Sequence, residues 1–292
     1  MVCRNSWRVA FGVALALVAI RPAAAAGLPT FTGNVAQDFP TSPGSGVTVI
    51  PVNASPTSTD VAQAAWMTQQ GWVTGWAIKD VRLQYNPTTD TMAVGVNTFS
   101  IAGNADGNGT PGIPDSRMTA AGGVDPAHFG GDKSITVGFD MNNSGTPTFV
   151  AGVPADKTKA GPGIDGFTVA SYQNNGAGLQ YSYGQSLPGH TGQLAFDPSA
   201  AHPNFEFTIT NFSKFPGFDP TKGFGLTLFA GSAFDVIAGE EYVPLSKIAM
   251  PQSGSQVVAT PEPATWLAWS AVGLLAFARS RRRPRAGGSA RD

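Results

Sequence analysis

The feature that most constrains this chain is a series of short segments in which apolar and polar residues alternate, each closed by turn-forming residues. In IKDVRLQY, residues 78–85, Val81, Leu83 and Tyr85 fall on one side and Asp80, Arg82 and Gln84 on the other. A period of two belongs to a β-strand with one buried face. NPTTD makes a turn and TMAVGVNTF returns with Met92, Val94 and Val96 in step, so the pair reads as a hairpin. The same rhythm marks 134–139, 148–153, 167–172, 179–183, 205–212, 223–229 and 241–248. In NFEFTITNF, Phe205, Phe207 and Ile209 alternate against Glu206, Thr208 and Thr210. Eight or nine such strands predict an all-β fold, a β-sandwich or jelly roll. The 36 glycines and 23 prolines among 292 residues fit many turns better than long helices. One short helix is expected within STDVAQAAWMTQQGW: Thr59 or Asp60 caps it, Val61, Ala64 and Ala65 share a side, and Gly71 stops it.

These elements place one sandwich domain at 59–250. Residues 27–58, rich in Pro, Ser, Thr and Gly, form an extended lead-in with one candidate strand at 47–52. Residues 251–260, PQSGSQVVAT, are a linker, and no internal repeat is evident.

The two ends differ from this body. Residues 1–26 hold Arg4 and Arg8, an apolar run Val9–Ile20, and Ala24-Ala25-Ala26, the order of a secretory signal peptide with an A-x-A cut site. Twelve helical residues cover about 18 Å, short of a hydrocarbon core of roughly 30 Å, although a retained anchor is the alternative. At the other end come Pro261-Glu262-Pro263, an apolar run Ala264–Ala278 read as a transmembrane helix, and Arg279, Arg281, Arg282, Arg283 and Arg285, before a tail at 286–292. The arginines stay cytoplasmic by the positive-inside rule, so the tail holds an exported body at the inner membrane.

The order P-E-P-A-T, short apolar helix, arginine cluster over 261–285 resembles the PEP-CTERM sorting signal of Gram-negative bacteria. That resemblance implies recognition by an exosortase, a membrane transpeptidase-like enzyme that cuts near Pro-Glu-Pro and passes the body to the exterior. It also implies a setting of extracellular polysaccharide and biofilm. In the body, WAIKDVRLQYNPTTDTMAVGVNT resembles the DOMON-like sandwiches, which include certain carbohydrate- and haem-binding modules.

Charge narrows the function classes. The net charge of −1 conceals nine Lys/Arg against seventeen Asp/Glu in residues 27–260, about −8 for the body. Such a surface repels nucleic acid and attracts cations. The single cysteine, Cys3, lies in the signal, so the body has neither disulfides nor cysteine catalysis.

Two oxygen-rich loops are the candidate metal sites. NADGNG sets Asn104, Asp106 and Asn108 at alternate positions, then Gly109 and Thr110; DMNNSG sets Asp140, Asn142 and Ser144, then Gly145 and Thr146. A loop curling round Ca²⁺ directs every second side chain at the ion, and a sixth-position glycine permits the bend. The twelfth position, a glutamate in complete EF-hand loops, is Asp115 in the first and Ala151 in the second. Calcium affinity should therefore be modest, with Kd of about 10⁻⁴–10⁻³ M. Asn, Asp, Gly and Ser are equally what tight turns require.

Trp66, Trp72 and Trp76 cluster, and Trp72 with Trp76 share a face if GWVTGWAI is extended. Such a row can stack on sugar rings of an exopolysaccharide, while buried core is the alternative. Tyr172, Tyr181 and Tyr183 offer a second platform with the same alternative. His128, His190 and His202 stand singly in Gly/Pro-rich loops, His190 and His202 read as turn residues, and neither G-x-S-x-G nor H-E-x-x-H occurs. The expectation is an exported, non-enzymatic cell-surface or matrix protein, structural or adhesive, with calcium-stabilised loops. The rivals are an exopolysaccharide-binding module and an extracellular hydrolase whose two carboxylates the sequence does not single out.

Overall fold

The alternating segments pair into two antiparallel sheets. The computed structural model describes residues 27–251 apart from 132 and 233–236, so the signal peptide, Cys3 and the sorting segment from Pro261 to Arg285 lie outside the described residues. One sheet orders β1 (Thr48–Pro51), β2 (Ile78–Asn86), β3 (Thr91–Thr98), β9 (Phe205–Thr210) and β8 (Thr191–Ala195). The other orders β11 (Glu241–Ile248), β10 (Phe224–Ser232), β4 (Lys133–Asp140), β5 (Phe149–Val153), β6 (Thr168–Tyr172) and β7 (Tyr183–Ser186). The all-β sandwich is thus present. Among the described residues three short α-helices join it: α1 (Val35–Asp38), α2 (Ala65–Gln70) and α3 (Ser116–Ala120).

The β2–β3 hairpin has the register its pattern requires, with Val81 opposite Val96 and Leu83 opposite Val94. Asp90 closes the turn at φ 50°, a left-handed conformation that aspartate tolerates. Its carboxylate accepts from the Tyr85 hydroxyl at 2.9 Å and from the Ser213 amide at 2.8 Å. Between the sheets, Val81, Leu83, Val94 and Val96 meet Ile135, Val137, Leu226 and Leu228 in one core. Phenylalanines fill its end, with Phe139 stacked on Phe149 at 4.8 Å and Phe149 on Phe215 at 3.6 Å. Such rings bury more apolar surface than any aliphatic side chain in the same space.

Both sheets also have covered outer faces, so the polar phase of the alternation is buried too. On the five-stranded sheet, Val35 and Phe39 of the lead-in pack on Ala93. Gly95 admits them: a Cβ there would stand 2.8 Å from both side chains. The polar groups beneath pair with one another, Arg82 Nε with Asp80 Oδ1 at 2.8 Å, while the guanidinium also donates to Phe39 O at 2.8 Å. The candidate strand at 47–52 is β1, an edge of this sheet. On the six-stranded sheet, Val150, Ala170, Leu179, Tyr183 and Phe229 form a second cluster on the outer side.

Two expectations need correction. The helix over 59–71 begins at Ala65, because the chain before it pairs elsewhere: Ala64 N–H donates to Ile237 O and Ala62 O accepts from Gly239 N–H. Thr59 binds Glu241 instead of capping, at 2.9 Å, while Gly71 does end the helix at φ 71°. The strand expected over 179–183 is a 3-10 turn at Leu179–Tyr181 followed by β7, since Leu179 folds down onto the outer cluster. Strand β8 and helices α1 and α3 lack a pattern strong enough to be read from sequence.

Candidate functional site

Three places collect chemistry-bearing groups. The first is the pole of the sandwich crossed by residues 99–131, which carries the first oxygen-rich loop and the tryptophans. Its centre is a cation supplied by the chain. Lys133, fully buried at the start of β4, donates from Nζ to Gly103 O at 2.5 Å, Asp125 Oδ1 at 2.5 Å and Pro126 O at 2.6 Å. The Trp76 ring lies 5.6 Å from the ammonium. Burial pushes the Asp125 carboxyl up, against the opposing pull of Lys133. Its Oδ2 has no hydrogen-bond partner.

Around this centre the predicted calcium ligands bind their own loop. Asp106 accepts from Asn108 N–H at 3.0 Å, from the Asn108 amide at 3.1 Å and from Asp115 N–H at 2.7 Å. Asn104 accepts from Gly107 N–H at 3.1 Å, and Asn108 Oδ1 accepts from Thr110 N–H and hydroxyl, both at 2.7 Å. Asp115 is turned to α3, where it caps Arg117 N–H at 2.9 Å and pairs with the Arg117 guanidinium at 2.7 Å. Those hydrogen bonds hold its carboxyl below the usual carboxylate range.

The tryptophans do not form a sugar-stacking row. Trp76 has no exposed surface and packs on Phe129 at 6.0 Å. Trp72 meets Trp66 edge to face at 6.0 Å, and the Arg117 guanidinium sits over both rings. Among the alternatives open in the sequence, core packing describes Trp76.

The second place is the 140–146 loop. Asp140 accepts from Asn142 N–H at 3.2 Å, Ser144 hydroxyl at 3.2 Å and Gly145 N–H at 2.7 Å. Asn143 takes φ 52°, and Asn142 is pressed against Gly217, whose added Cβ would meet its Oδ1. Tested against calcium, both loops fit poorly: the carboxylate oxygens already accept N–H and O–H donors that a cation would have to displace. Among the described residues no three His, Asp or Glu side chains gather at metal-binding separation.

The third place is a cleft of about 450 Å³ on the outer face of the six-stranded sheet. Its walls come from four segments. Gly145, Thr146 and Pro147 come from the end of the second loop; Tyr172 ends β6 and Asn174 follows it; Leu179 caps the outer cluster; Tyr242 and Leu245 stand on β11. Thr227 of β10 lies between, with its hydroxyl held by Val243 O at 2.7 Å. Gly138 keeps the floor flat, because a Cβ there would meet Thr227, Pro147 and Leu179 at 2.8–3.3 Å. Tyr242 opposes Phe229 in register, which places it on the outer face, and it is 59% exposed. Among the described residues the Tyr172 and Tyr242 hydroxyls make no hydrogen bond, and no lining residue carries a carboxylate, ammonium or guanidinium.

Thr146, proposed from sequence as a metal ligand, therefore borders the cleft, as does Tyr172 of the second aromatic set. Tyr181 and Tyr183 do not join them: Tyr183 is buried, its hydroxyl 3.0 Å from Thr136. Sequence reasoning missed Tyr242 and the Lys133–Asp125 centre. The available signal for Tyr242 was a large aromatic residue on the polar phase of EEYVPLSKI. The histidines lie apart, and their rings contact segments distant in sequence: His128 meets Asp165 and His190 meets Thr210 O, each at 3.1 Å, while His202 meets Thr32 O. Compared with models of known families, with curated proteins and with solved structures, the chain matches none.

Proposed function

We propose that this is an exported cell-surface or extracellular-matrix protein, delivered by exosortase through its C-terminal signal, with a structural or adhesive role and no catalytic one. The observation that carries this reading is the cleft. It is open along a sheet face, it is lined by uncharged groups, and tyrosines stand at two of its walls. Adhesion needs a standing surface of this kind. Glycoside hydrolysis needs two carboxyl groups flanking the bond, and the cleft lining contains none. The resemblance of residues 261–285 to a PEP-CTERM signal and that of the β2–β3 region to DOMON-like sandwiches support the same setting.

The experiment has two arms. In a producing strain, loss of the exosortase should leave the chain uncleaved in the membrane fraction, and Glu262→Ala should do the same. Purified full chain in mild detergent should co-sediment with extracellular matrix from that strain, and Tyr242→Ala should not. Equal export without exosortase overturns the sorting, and absence of co-sedimentation overturns the adhesive role.

A further inference from the structure

The lining of the cleft narrows its ligand. We infer that the cleft takes an uncharged polysaccharide, laid across the outer face of the six-stranded sheet with sugar rings against Tyr172 and Tyr242. This deepens the adhesive reading and rests on it.

Charge is the first argument. An acidic glycan needs a basic partner, and the lining offers none, while the body carries about −8 that repels any polyanion. A cationic ligand would want a carboxylate, also missing from the lining. What remains is a neutral molecule that combines apolar faces with a polar rim.

Shape is the second. A pyranose ring has C–H faces and a belt of hydroxyls. The two tyrosines supply flat apolar surface with a hydroxyl at the edge. The Thr146 hydroxyl and the Asn174 side-chain amide add donors along the same cleft, the Asn174 oxygen being held by Gly176 N–H at 3.0 Å. The lining mixes such polar groups with the apolar faces of Tyr172, Tyr242, Pro147, Leu179 and Leu245, as a ring with C–H faces and a hydroxyl belt requires.

Span is the third. Tyr172 stands on β6 and Tyr242 on β11, with β5, β4 and β10 between them. Four interstrand steps correspond to about 19 Å of sheet. An occupant touching both rings is longer than one sugar, and an open cleft lets a chain enter and leave at its ends. Tyr172 is anchored by packing against the Val150–Phe229 cluster, so one wall is rigid, while Tyr242 stands free on the edge strand.

The test is affinity electrophoresis of the full chain in mild detergent through gels containing hydroxyethylcellulose, laminarin or galactomannan, with alginate and polygalacturonate as charged counterparts. Retardation is expected in at least one neutral polymer and should withstand added salt, because no ion pair is involved. Tyr242→Ala should weaken it at least tenfold and Tyr242→Phe only slightly. Tyr172→Phe replaces alanine at that position so that the packed cluster is preserved. Retardation by the uronate polymers alone, or retention unchanged in Tyr242→Ala, overturns the inference. A parallel arm separates it from the adhesive reading by treating producing-strain matrix with protease or with periodate, the periodate treatment including a β-1,3-glucanase because 1,3-linked glucans lack the adjacent diols that periodate cleaves. Co-sedimentation that survives periodate and disappears with protease leaves adhesion standing and sinks the polysaccharide. Matrix that never binds, beside a neutral gel that does, sinks adhesion and leaves the polysaccharide standing. Failure in every neutral gel, with periodate-treated matrix still binding, overturns the ligand class.

Discussion

On the five-stranded sheet the outer face is closed by the lead-in and fastened with charge; on the six-stranded sheet residues 173–183 close only part of the face, and an uncharged cleft begins where they stop. The first cover is joined by Arg82 donating to Phe39 O at 2.8 Å, Asn204 accepting from Val35 N–H at 3.0 Å and Glu206 accepting from Gly33 N–H at 2.7 Å. Each of those side chains binds the backbone of the lead-in. Across the sandwich, Tyr172 and Tyr242 hold hydroxyls that nothing within the described residues binds. Polar groups under a cover fix the fold, and those at the rim of an incomplete cover remain available to a ligand.

The largest effect should come from removing the charge that fastens the first cover. Arg82→Met leaves Asp80 buried with its guanidinium partner gone, a loss expected to cost about 3–5 kcal/mol. Urea unfolding should read that loss directly, and limited proteolysis should then cut first within residues 27–45. A variant as stable as the parent would mean that the lead-in adheres by its apolar contacts alone.

A smaller effect comes from Glu206, buried under the same cover. Burial, reinforced by the Asp38 carboxylate beside it, pushes its carboxyl up to about 8, despite the bond from Gly33. Its Oε1 has no donor, and only a proton of its own would let it bond outward. A raised pKa fixes the sign. The stability it contributes is fully present below the ordinary value of about 4.5 and is lost as pH climbs through about 8. The melting temperature should fall over that window by several degrees, and Glu206→Gln should flatten the fall. A parent whose melting temperature rises over the same window would refute a protonated Glu206.

Much of the frame is legible in the sequence because strand pairing repeats a local period. Val81, Leu83, Val94 and Val96 announce the hairpin without knowledge of any other residue. What escapes is fixed by distant contacts. Ala62 and Ala64 read as helix and instead pair with Ile237 and Gly239, far along the chain. Asp80 and Arg82 read correctly as the opposite phase, yet the lead-in buries them, which no alternation can express. The site is harder still. Tyr172 and Tyr242 come to line one cleft only through the order of six strands. Asp106 and Asp140 have the spacing of calcium ligands, but the same spacing lets each fold its loop by accepting amide hydrogens, and local pattern does not separate the two uses.

Those loops give the finest test, since they ask whether polar groups on the committed side of the comparison can also serve a ligand. Asp140 accepts three donors from within its own loop, and Asp106 three from its own loop and the start of α3. A calcium ion would have to break those bonds while meeting Asp140 alone in the second loop and, in the first, Asp106 with an Asp115 already paired to Arg117. A site with Kd of about 10⁻⁴ M would still add about 1.4 kcal/mol at 1 mM calcium, a readily measured rise in melting temperature. The geometry predicts no such rise: melts in 1 mM calcium and in EDTA should coincide, and Asp140→Asn should change neither relative to the other. A rise abolished by Asp140→Asn would place calcium in the second loop, beside Thr146 at the rim of the cleft. The boundary between fold-fixing and ligand-facing polar groups would then run through that loop.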